Sequence, residues 1–343
     1  MASVTILGAG VTGMAIASQL ATHHDVTIVG DILPGDALTT DWASPWAGAC
    51  WVGVHTSSEE DTKIQLDSLA VLLKLARTYP KTESGVRMTK MTEILEYGSP
   101  EDIWYRHYVP DFRLLDKSEM PPRAVFGMEY TTVCISPPVF LTWMRARLEA
   151  KGVRFVRARI TSLRDLKIFK SDVLVNAAGA RVRDLKEVRD TSLVPYRLQS
   201  ILLDKTWDQC YIYRGLHGFY FNMFGRPDGT TYVGGIKLLN SEDRTVYAAD
   251  RETILSRGHQ LLPAVLPSPH PSDYIIKYDI GNTYHFRPMD RGGARIDKEI
   301  VDGQKVVHAY GQEAGGYCFS FGTSQKVATL VEQYVHDSIS PKL

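Results

Sequence analysis

The fold of the N-terminal region is determined by the segment Val4-Thr5-Ile6-Leu7-Gly8-Ala9-Gly10-Val11-Thr12-Gly13. Its apolar and β-branched start predicts a strand, its glycines predict a tight turn, and Met14 to Thr22 continues as a helix. A second strand is predicted at Val26 to Val29. The order of strand, glycine turn, helix and strand indicates a β-α-β unit that opens an α/β domain.

The spacing Gly-x-Gly-x-x-Gly in this context predicts a site for a dinucleotide diphosphate. The first glycine permits the turn, the second lets the backbone approach the diphosphate, and the third lets helix and strand pack closely. Asp31 ends the second strand, eighteen residues after Gly13, where a carboxylate can accept hydrogen bonds from an adenosine ribose. These residues do not distinguish FAD from NAD. The predicted dinucleotide-binding residues are Gly8, Ala9, Gly10, Val11, Thr12, Gly13 and Asp31.

The remaining chain alternates between two kinds of pattern. Helical patterns at 57–77 and 138–152, strands at 155–160 and 173–176, and a final strand, glycine turn and helix after residue 306 resemble the first unit. Short segments broken by Pro and Gly at 86–134 and 195–285 indicate antiparallel strands. We therefore predict an α/β protein with two domains. The first is a discontinuous Rossmann-like domain of residues 1–85, 135–194 and 286–343, and the second is an antiparallel-sheet α+β substrate domain of residues 86–134 and 195–285.

Composition excludes several classes of function. Lys and Arg together number 39, as do Asp and Glu, so no net charge favours nucleic acid or an anionic membrane. The four cysteines, Cys50, Cys134, Cys210 and Cys318, contain no C-x-x-C pair, which predicts free thiols and no metal site. No apolar run reaches the roughly 18 residues that cross a bilayer. The first strand begins too early for a signal peptide, so we expect a soluble, non-secreted protein that acts on a small molecule.

The C-terminal residues Pro341-Lys342-Leu343 differ from the peroxisomal S-K-L address only in the proline. We therefore expect the peroxisomal import receptor to bind this tripeptide and the protein to lie in the peroxisome, or otherwise in the cytoplasm. The sequence does not decide between a monomer and a homodimer.

The run Ala43-Ser44-Pro45-Trp46-Ala47-Gly48-Ala49 resembles the flavin-contacting segment of fungal D-amino acid oxidases. Three further segments agree with that family in the same order: the N-terminal glycine motif, Phe286-Arg287-Pro288, and the turn from Tyr310-Gly311 to Gly315-Gly316-Tyr317. The resemblance covers the whole chain. It implies that the cofactor is FAD and that the protein belongs with the D-amino acid and D-aspartate oxidases.

The resemblance also implies which residues contact the cofactor. Backbone N–H groups near Ser44, Gly48 and Ala49 would approach the isoalloxazine ring, and the C-terminal glycine turn would bring a helix N-terminus to its pyrimidine end. Cys50 departs from the Asn or Gln that the family carries, which removes one polar flavin contact. The cofactor residues carried over are Ser44, Gly48, Ala49, Cys50, Ile160, Gly179, Arg287, Ala314, Gly315, Gly316, Tyr317 and Cys318.

For the substrate, Arg287 matches the arginine that clamps the amino acid carboxylate, and Tyr220 aligns with the tyrosine that donates to it. Tyr213 or Tyr211 could supply a second hydroxyl, and the resemblance also places Gly316 among the substrate-binding residues. The implied reaction is hydride transfer from the α carbon of a D-amino acid to flavin N5. Oxygen then gives hydrogen peroxide, and the imino acid hydrolyses to a 2-oxo acid and ammonia. Positioning suffices for this chemistry, so no catalytic side chain is required.

Two substrate pockets remain open. An apolar pocket of Phe221, Met223 and Trp51 would select neutral D-amino acids, whereas Arg214 or His217 would hold a second carboxylate, as in D-aspartate oxidases. We favour neutral substrates, because charged residues on a glycine-bounded turn are usually solvated.

Two other classes of protein compete with this interpretation. An NAD-dependent dehydrogenase would share the first glycine motif but not the run 43–49. A non-catalytic nucleotide-binding protein would have no need of Arg287 and Tyr220.

Overall fold

The computed structural model describes residues 1–312 and 315–336. In this part of the chain the strands are β1 Ser3–Leu7, β2 Asp25–Gly30, β3 Val86–Leu95, β4 Arg113–Leu114, β5 Phe126–Ile135, β6 Arg154–Arg157, β7 Val173–Asn176, β8 Val194–Leu203, β9 Cys210–Arg214, β10 Tyr220–Gly225, β11 Thr231–Leu239, β12 Ile276–Phe286, β13 Arg295–Val301 and β14 Gln304–Tyr310. The α-helices are α1 Val11–Leu20, α2 Glu59–Thr78, α3 Lys81–Ser84, α4 Pro137–Ala150, α5 Ala248–Leu261 and α6 Gly316–His336.

The first sheet has six strands in the order β13-β14-β7-β1-β2-β6. Its strands run parallel, except that β13 is antiparallel to β14. Strands β1 and β7 are buried on both faces, as expected for a parallel sheet that is covered on both sides. Helices α1 and α6 pack against each other beside this sheet. The carboxyl ends of β1, β2, β7 and β14 therefore meet at one edge, where α1 also begins.

The second sheet has eight strands in the order β12-β8-β11-β10-β9-β3-β5-β4. Its neighbours pair antiparallel, apart from the parallel pair β3 and β9. Helix α5 covers one face, where Ile254 and Leu255 are buried with Phe221, Met223 and Val233. Because side chains alternate along a strand, the residues between these point to the opposite face. That face turns toward the segment 44–52 and carries the candidate substrate residues.

The predicted α/β class, with a mainly parallel sheet and a second antiparallel sheet, is confirmed. The limits of the two domains stay predictions. Helix α6 begins at Gly316, so the predicted glycine turn leads directly into the predicted final helix. Helix α5 was missed, since it lies in a stretch predicted to hold only strands and buries only Ile254, Leu255 and Gly258. Within the described residues, no helix is both long enough and apolar enough to cross a membrane.

Candidate active site

The glycine turn after β1 has a shape that side chains would block. Gly8 has a φ of 112°, and a Cβ there would lie 2.3 Å from the carbonyl oxygen of Ala177 on the neighbouring strand end. A Cβ at Gly13 would lie 2.0 Å from the carbonyl oxygen of Gly8. The two glycines thus let β1, β7 and α1 approach one another. Helix α1 starts after Gly10 without a side-chain cap, and the N–H of Val11 donates to Ser44 Oγ at 3.1 Å.

This uncapped helix end opens into a cavity between the strand ends. Asp31 lies in its wall and forms an ion pair with Arg181, 2.8 Å away. Arg181 was missed by sequence reasoning, although it follows the strand end Ala177-Ala178-Gly179 that the sequence singled out. At Gly179 the φ is 58° and a Cβ would meet nothing within 4 Å, so the backbone there borders open space. The predicted cofactor residues that line this one cavity are Gly8, Ala9, Gly10, Val11, Thr12, Asp31, Ser44, Ile160 and Gly179. Gly13 lies behind them, inside α1.

The segment 44–50 and the start of α6 meet beside this cavity. Tyr317 donates its hydroxyl to the carbonyl of Ser44 at 3.1 Å, and the thiol of Cys318 donates to the carbonyl of Cys50 at 3.5 Å. A Cβ at Gly316 would lie 3.8 Å from Val11 Cγ1, so the N-termini of α1 and α6 are neighbours. The structure therefore brings together the first, second and last motifs of the sequence. Ala314 lies outside the described residues.

Arg226 fixes the backbone of the same segment and was not predicted. Its guanidinium donates to the carbonyl of Ala47 at 2.7 Å and also to the carbonyl of Gly48. The ring of Phe224 lies where a Cβ of Gly48 would be, at 2.4 Å. The two carbonyls thus point toward the eight-stranded sheet, and only glycine fits at position 48.

These residues fit FAD. The cavity offers an uncapped helix N-terminus for a diphosphate, an acid for a ribose and glycine surfaces for close approach. A Cβ at Gly10 would lie 3.0 Å from Ser44 Oγ and would narrow this cradle. The neighbouring segment 44–50 and the start of α6 would hold the ring end of the cofactor.

Three of the four cysteines gather under this segment. Cys50 and Cys134 face each other across an isolated antiparallel bridge, and the thiol of Cys210 is within hydrogen-bonding reach of both. Burial raises the pKa of Cys50 to about 11, so its thiol is protonated at neutral pH. Cys50 therefore behaves as a small, nearly apolar neighbour and cannot replace the amide that the family carries.

Tyr220 and Arg214 share one face of the second sheet. They pair directly across β10 and β9, so their side chains point the same way. The hydroxyl of Tyr220 accepts from the Asn222 amide at 3.2 Å, and the Nζ of Lys237 lies 3.4 Å from the centre of the tyrosine ring. Burial raises the pKa of Tyr220 to about 12, so its hydroxyl keeps its proton and can donate.

Arg214 is not solvated, in contrast to the expectation for a glycine-bounded turn. Its Nε and Nη2 atoms donate to Glu93 Oε2 at 3.3 and 3.2 Å. The other carboxylate oxygen of Glu93 accepts the hydroxyls of Tyr105 and Tyr130, at 2.7 and 2.6 Å. Burial lowers the pKa of Arg214, but the charge of Glu93 outweighs it and the net pKa is raised, so the guanidinium stays charged. Sequence reasoning missed Glu93, since an acid in the middle of a strand usually faces solvent.

Other predicted pocket residues are not brought to this face. Tyr213 donates its hydroxyl to Glu96 at 2.6 Å and, with Tyr211, Phe221 and Met223, packs on the opposite face of the sheet beside α5. Trp51 is fully buried and donates to the carbonyl of Gln65. His217 is exposed in the turn between β9 and β10. The physical reason is strand alternation, which places Tyr213 and Tyr220 on different faces.

Arg287 follows β12 and is held by its surroundings. Its backbone N–H donates to the carbonyl of Gly311 at 2.9 Å, its Nε lies 3.3 Å from Asp190 Oδ2, and its Nη2 donates to the carbonyl of Arg291. Burial raises the pKa of Asp190, but hydrogen bonds from Ser192 and Tyr310 and the charge of Arg287 lower it more, and the net pKa is lowered. Arg287 lines a second, smaller cavity with residues that include Val54, Ser57, Gln312 and Phe319.

Comparison with known proteins agrees with this arrangement. The family model described as DAO, FAD dependent oxidoreductase, matches residues 3–330. The D-amino-acid oxidase of Schizosaccharomyces pombe is 28% identical over 334 residues, which cover 93% of this chain and 93% of that protein. The D-aspartate oxidase of Homo sapiens is 28% identical over 354 residues, 99% of this chain and 97% of that protein.

A solved structure, glycine oxidase from Geobacillus kaustophilus, superposes with a TM-score of 0.73 at 19% identity, covering 97% of this chain and 95% of that one. This likeness shows the same fold. The match to the family model covers nearly the whole chain, and it confirms the predicted cofactor over the NAD alternative. The chain therefore belongs to the DAO family of FAD-dependent oxidoreductases.

Proposed function

We propose that this enzyme oxidises D-amino acids with neutral side chains to 2-oxo acids, ammonia and hydrogen peroxide. The proposal is carried by one observation: the segment 44–50, the start of α6 and the face of β10 that bears Tyr220 adjoin one another. Both sequence relatives named above are oxidases of D-amino acids. When bound, FAD supplies the acceptor for the substrate hydride and passes the electrons to oxygen.

The protein side of this reaction is positioning. Arg287 offers a planar guanidinium for the substrate carboxylate, and its contacts with Asp190 and the carbonyl of Arg291 fix its orientation. Tyr220 offers a protonated hydroxyl to the same carboxylate. A substrate held at its carboxylate and amine can present its α hydrogen in only one enantiomer, because exchange of two substituents puts the side chain where the hydrogen was.

The preference for neutral side chains rests on Arg214. This residue is a cation on the same face as Tyr220 that could hold a second carboxylate, and Glu93 already accepts two of its hydrogen bonds. The alternative is a D-aspartate oxidase, and the similarity to human D-aspartate oxidase keeps it under test. In that case Arg214 would leave Glu93 for the substrate.

The deciding experiment follows the flavin absorbance of the purified protein without oxygen. D-alanine should bleach the visible absorption band of the flavin, while L-alanine leaves it unchanged and D-aspartate bleaches it far more slowly. Dominant bleaching by D-aspartate would establish the acidic alternative. A yellow protein that no D-amino acid bleaches would overturn the proposed activity.

Two further parts of the proposal concern the cell and the assembly. The predicted peroxisomal address, Pro341-Lys342-Leu343, lies outside the described residues and stays a prediction. Fluorescent fusions with and without these three residues test it, because only the intact form should collect in peroxisomes. A homodimer is likewise a prediction, which light scattering of the FAD-loaded protein tests.

A further inference from the structure

We propose that Glu93 sets the substrate class of this enzyme, by holding Arg214 in an internal ion pair that rejects a second substrate carboxylate. This inference rests on the proposed oxidation of D-amino acids. It assigns to one buried acid the difference between neutral and acidic substrates.

Glu93 is bonded on both sides. Its side chain is fully buried, and its two oxygens accept four hydrogen bonds from Arg214, Tyr105 and Tyr130. His55 contacts the hydroxyl of Tyr105 at 3.2 Å and closes the group on its outer side. A carboxylate with this many donors is held in one orientation, and the nearby guanidinium cancels its charge.

Arg214 lies between Glu93 and the substrate face. It pairs with Leu95 on β3 and with Tyr220 on β10, and its guanidinium reaches Glu93 Oε2 at 3.2 Å. The Arg214 side chain is 21% exposed, whereas that of Glu93 is 0% exposed. Its Nη1 atom has no hydrogen-bond partner within residues 1–312 and 315–336. The outer edge of the guanidinium can therefore face a substrate side chain while the inner edge stays on Glu93.

A second substrate carboxylate meets an unfavourable choice at this position. If it takes Arg214 fully, Glu93 is left as a buried anion without its cation, which proteins do not tolerate without a large loss of stability. If Arg214 stays on Glu93, the incoming carboxylate meets a nearly neutral pair with a like charge behind it. An uncharged side chain meets neither penalty. The expected result is selection for neutral D-amino acids.

Lys237 is the other cation on this face, with its Nζ over the ring of Tyr220. It provides a separate route by which an acidic substrate could bind. The test therefore has to separate Arg214 from Lys237.

D-glutamine and D-glutamate form a suitable substrate pair, since they have almost the same shape and differ in charge. The ratio of kcat/KM for D-glutamate to that for D-glutamine is measured for the FAD-loaded wild type and for Glu93→Gln, Glu93→Gln/Arg214→Met and Glu93→Gln/Lys237→Met. Gln at position 93 keeps the size and the hydrogen bonds to the tyrosines. Binding of succinate, which has a second carboxylate, is also compared with binding of butyrate, which has one. The change in the flavin absorption band measures both without turnover.

We expect the wild type to favour D-glutamine by at least about tenfold, since a charge-assisted hydrogen bond is worth about that factor or more. Glu93→Gln should raise the D-glutamate to D-glutamine ratio by about tenfold or more and strengthen succinate binding relative to butyrate. This increase in the ratio should persist in Glu93→Gln/Lys237→Met and disappear in Glu93→Gln/Arg214→Met.

A wild type that prefers D-glutamate would overturn the inference even if no variant folds. So would a Glu93→Gln enzyme with an unchanged ratio, or a gain that disappears with Lys237→Met alone. Failure of the proposed oxidation of D-amino acids looks different, because D-alanine, D-glutamine and D-glutamate would then all leave the flavin of the wild type unbleached.

Discussion

The dinucleotide cavity and the substrate face differ in the structural features that build them. The cavity lies where parallel strands end. Backbone atoms of the glycine turn after β1, of the N-terminus of α1 and of the end of the neighbouring strand β7 form part of its wall. The substrate face lies across antiparallel strands, and side chains make it. Tyr220, Arg214 and Glu93 come from three strands, β10, β9 and β3.

This difference decides how each region tolerates change. Backbone sites depend on the absence of side chains, so adding one carbon atom disrupts them. Side-chain sites depend on hydrogen bonds and charge, so exchanging one polar atom changes which substrate they bind best.

Gly13→Ala should abolish FAD binding or strongly destabilise the protein. Alanine favours helix more than glycine does, yet its Cβ would lie 2.0 Å from the carbonyl oxygen of Gly8, which is backbone and cannot move aside. We expect a loss of about 2 kcal/mol or more in the free energy of unfolding, measured in urea, and a low ratio of flavin to protein absorbance. Gln19→Ala, at an exposed site on the same helix, is the control and should bind FAD normally. A stable, yellow Gly13→Ala protein would refute the close packing.

Arg287→Lys should lower kcat/KM for D-alanine by about a hundredfold, because an ammonium group cannot form two parallel hydrogen bonds to a carboxylate. Arg291→Lys changes an exposed neighbour in the same way and should leave the kinetics within about twofold. Equal effects of the two substitutions would remove Arg287 from the carboxylate site.

Tyr220→Phe and Tyr213→Phe compare the two faces of one sheet. Tyr220→Phe should raise KM for D-alanine by about tenfold, the usual value for one hydrogen bond to a charged group. Tyr213→Phe should leave KM unchanged and cost about 1 kcal/mol of stability, since it loses only the bond to Glu96. A larger kinetic effect at Tyr213 would show that the substrate binds on the α5 side.

The sequence predicted the cavity far better than the substrate face. The glycine turn and Asp31 follow one another along the chain with a characteristic spacing, so Gly8 to Gly13 and Asp31 could be named from the residues alone, whereas Ser44 was named only through the family resemblance. On the substrate face, side chains alternate between the two sides of each strand. An error of one residue in the predicted register would therefore place Phe221 instead of Tyr220 on that face. Glu93 lies more than 120 positions from Tyr220, and nothing in its neighbourhood indicates that Arg214 pairs with it.

His308 and His55 allow the two regions to be compared through the pH dependence of stability, because one lies in the sheet that ends at the dinucleotide cavity and the other lies beside the tyrosines that contact Glu93. His308 lies in the parallel sheet, fully buried against Asn176 and Glu299, and His55 lies beside Tyr105. Burial lowers the pKa of both below the ordinary value of 6.5, with Arg295 adding to the effect at His308. In each case the folded protein binds fewer protons than the unfolded chain as the pH falls below 6.5. The free energy of unfolding should therefore be constant above about pH 7 and decrease on acidification.

His308→Gln and His55→Gln should each reduce this decrease between pH 7 and 5.5, by up to about 1 kcal/mol. Urea unfolding of the FAD-loaded proteins at each pH, with excess FAD, gives the values. If only His308→Gln reduces the loss of stability on acidification, proton uptake in the six-stranded sheet limits the stability at low pH. The contact between His55 and Tyr105 would then have no effect on proton uptake. If only His55→Gln does so, the polar group around Glu93 titrates first. Acidification would then loosen the Glu93 to Arg214 pair before it affects the cofactor cavity, and substrate preference should change with pH before FAD is lost.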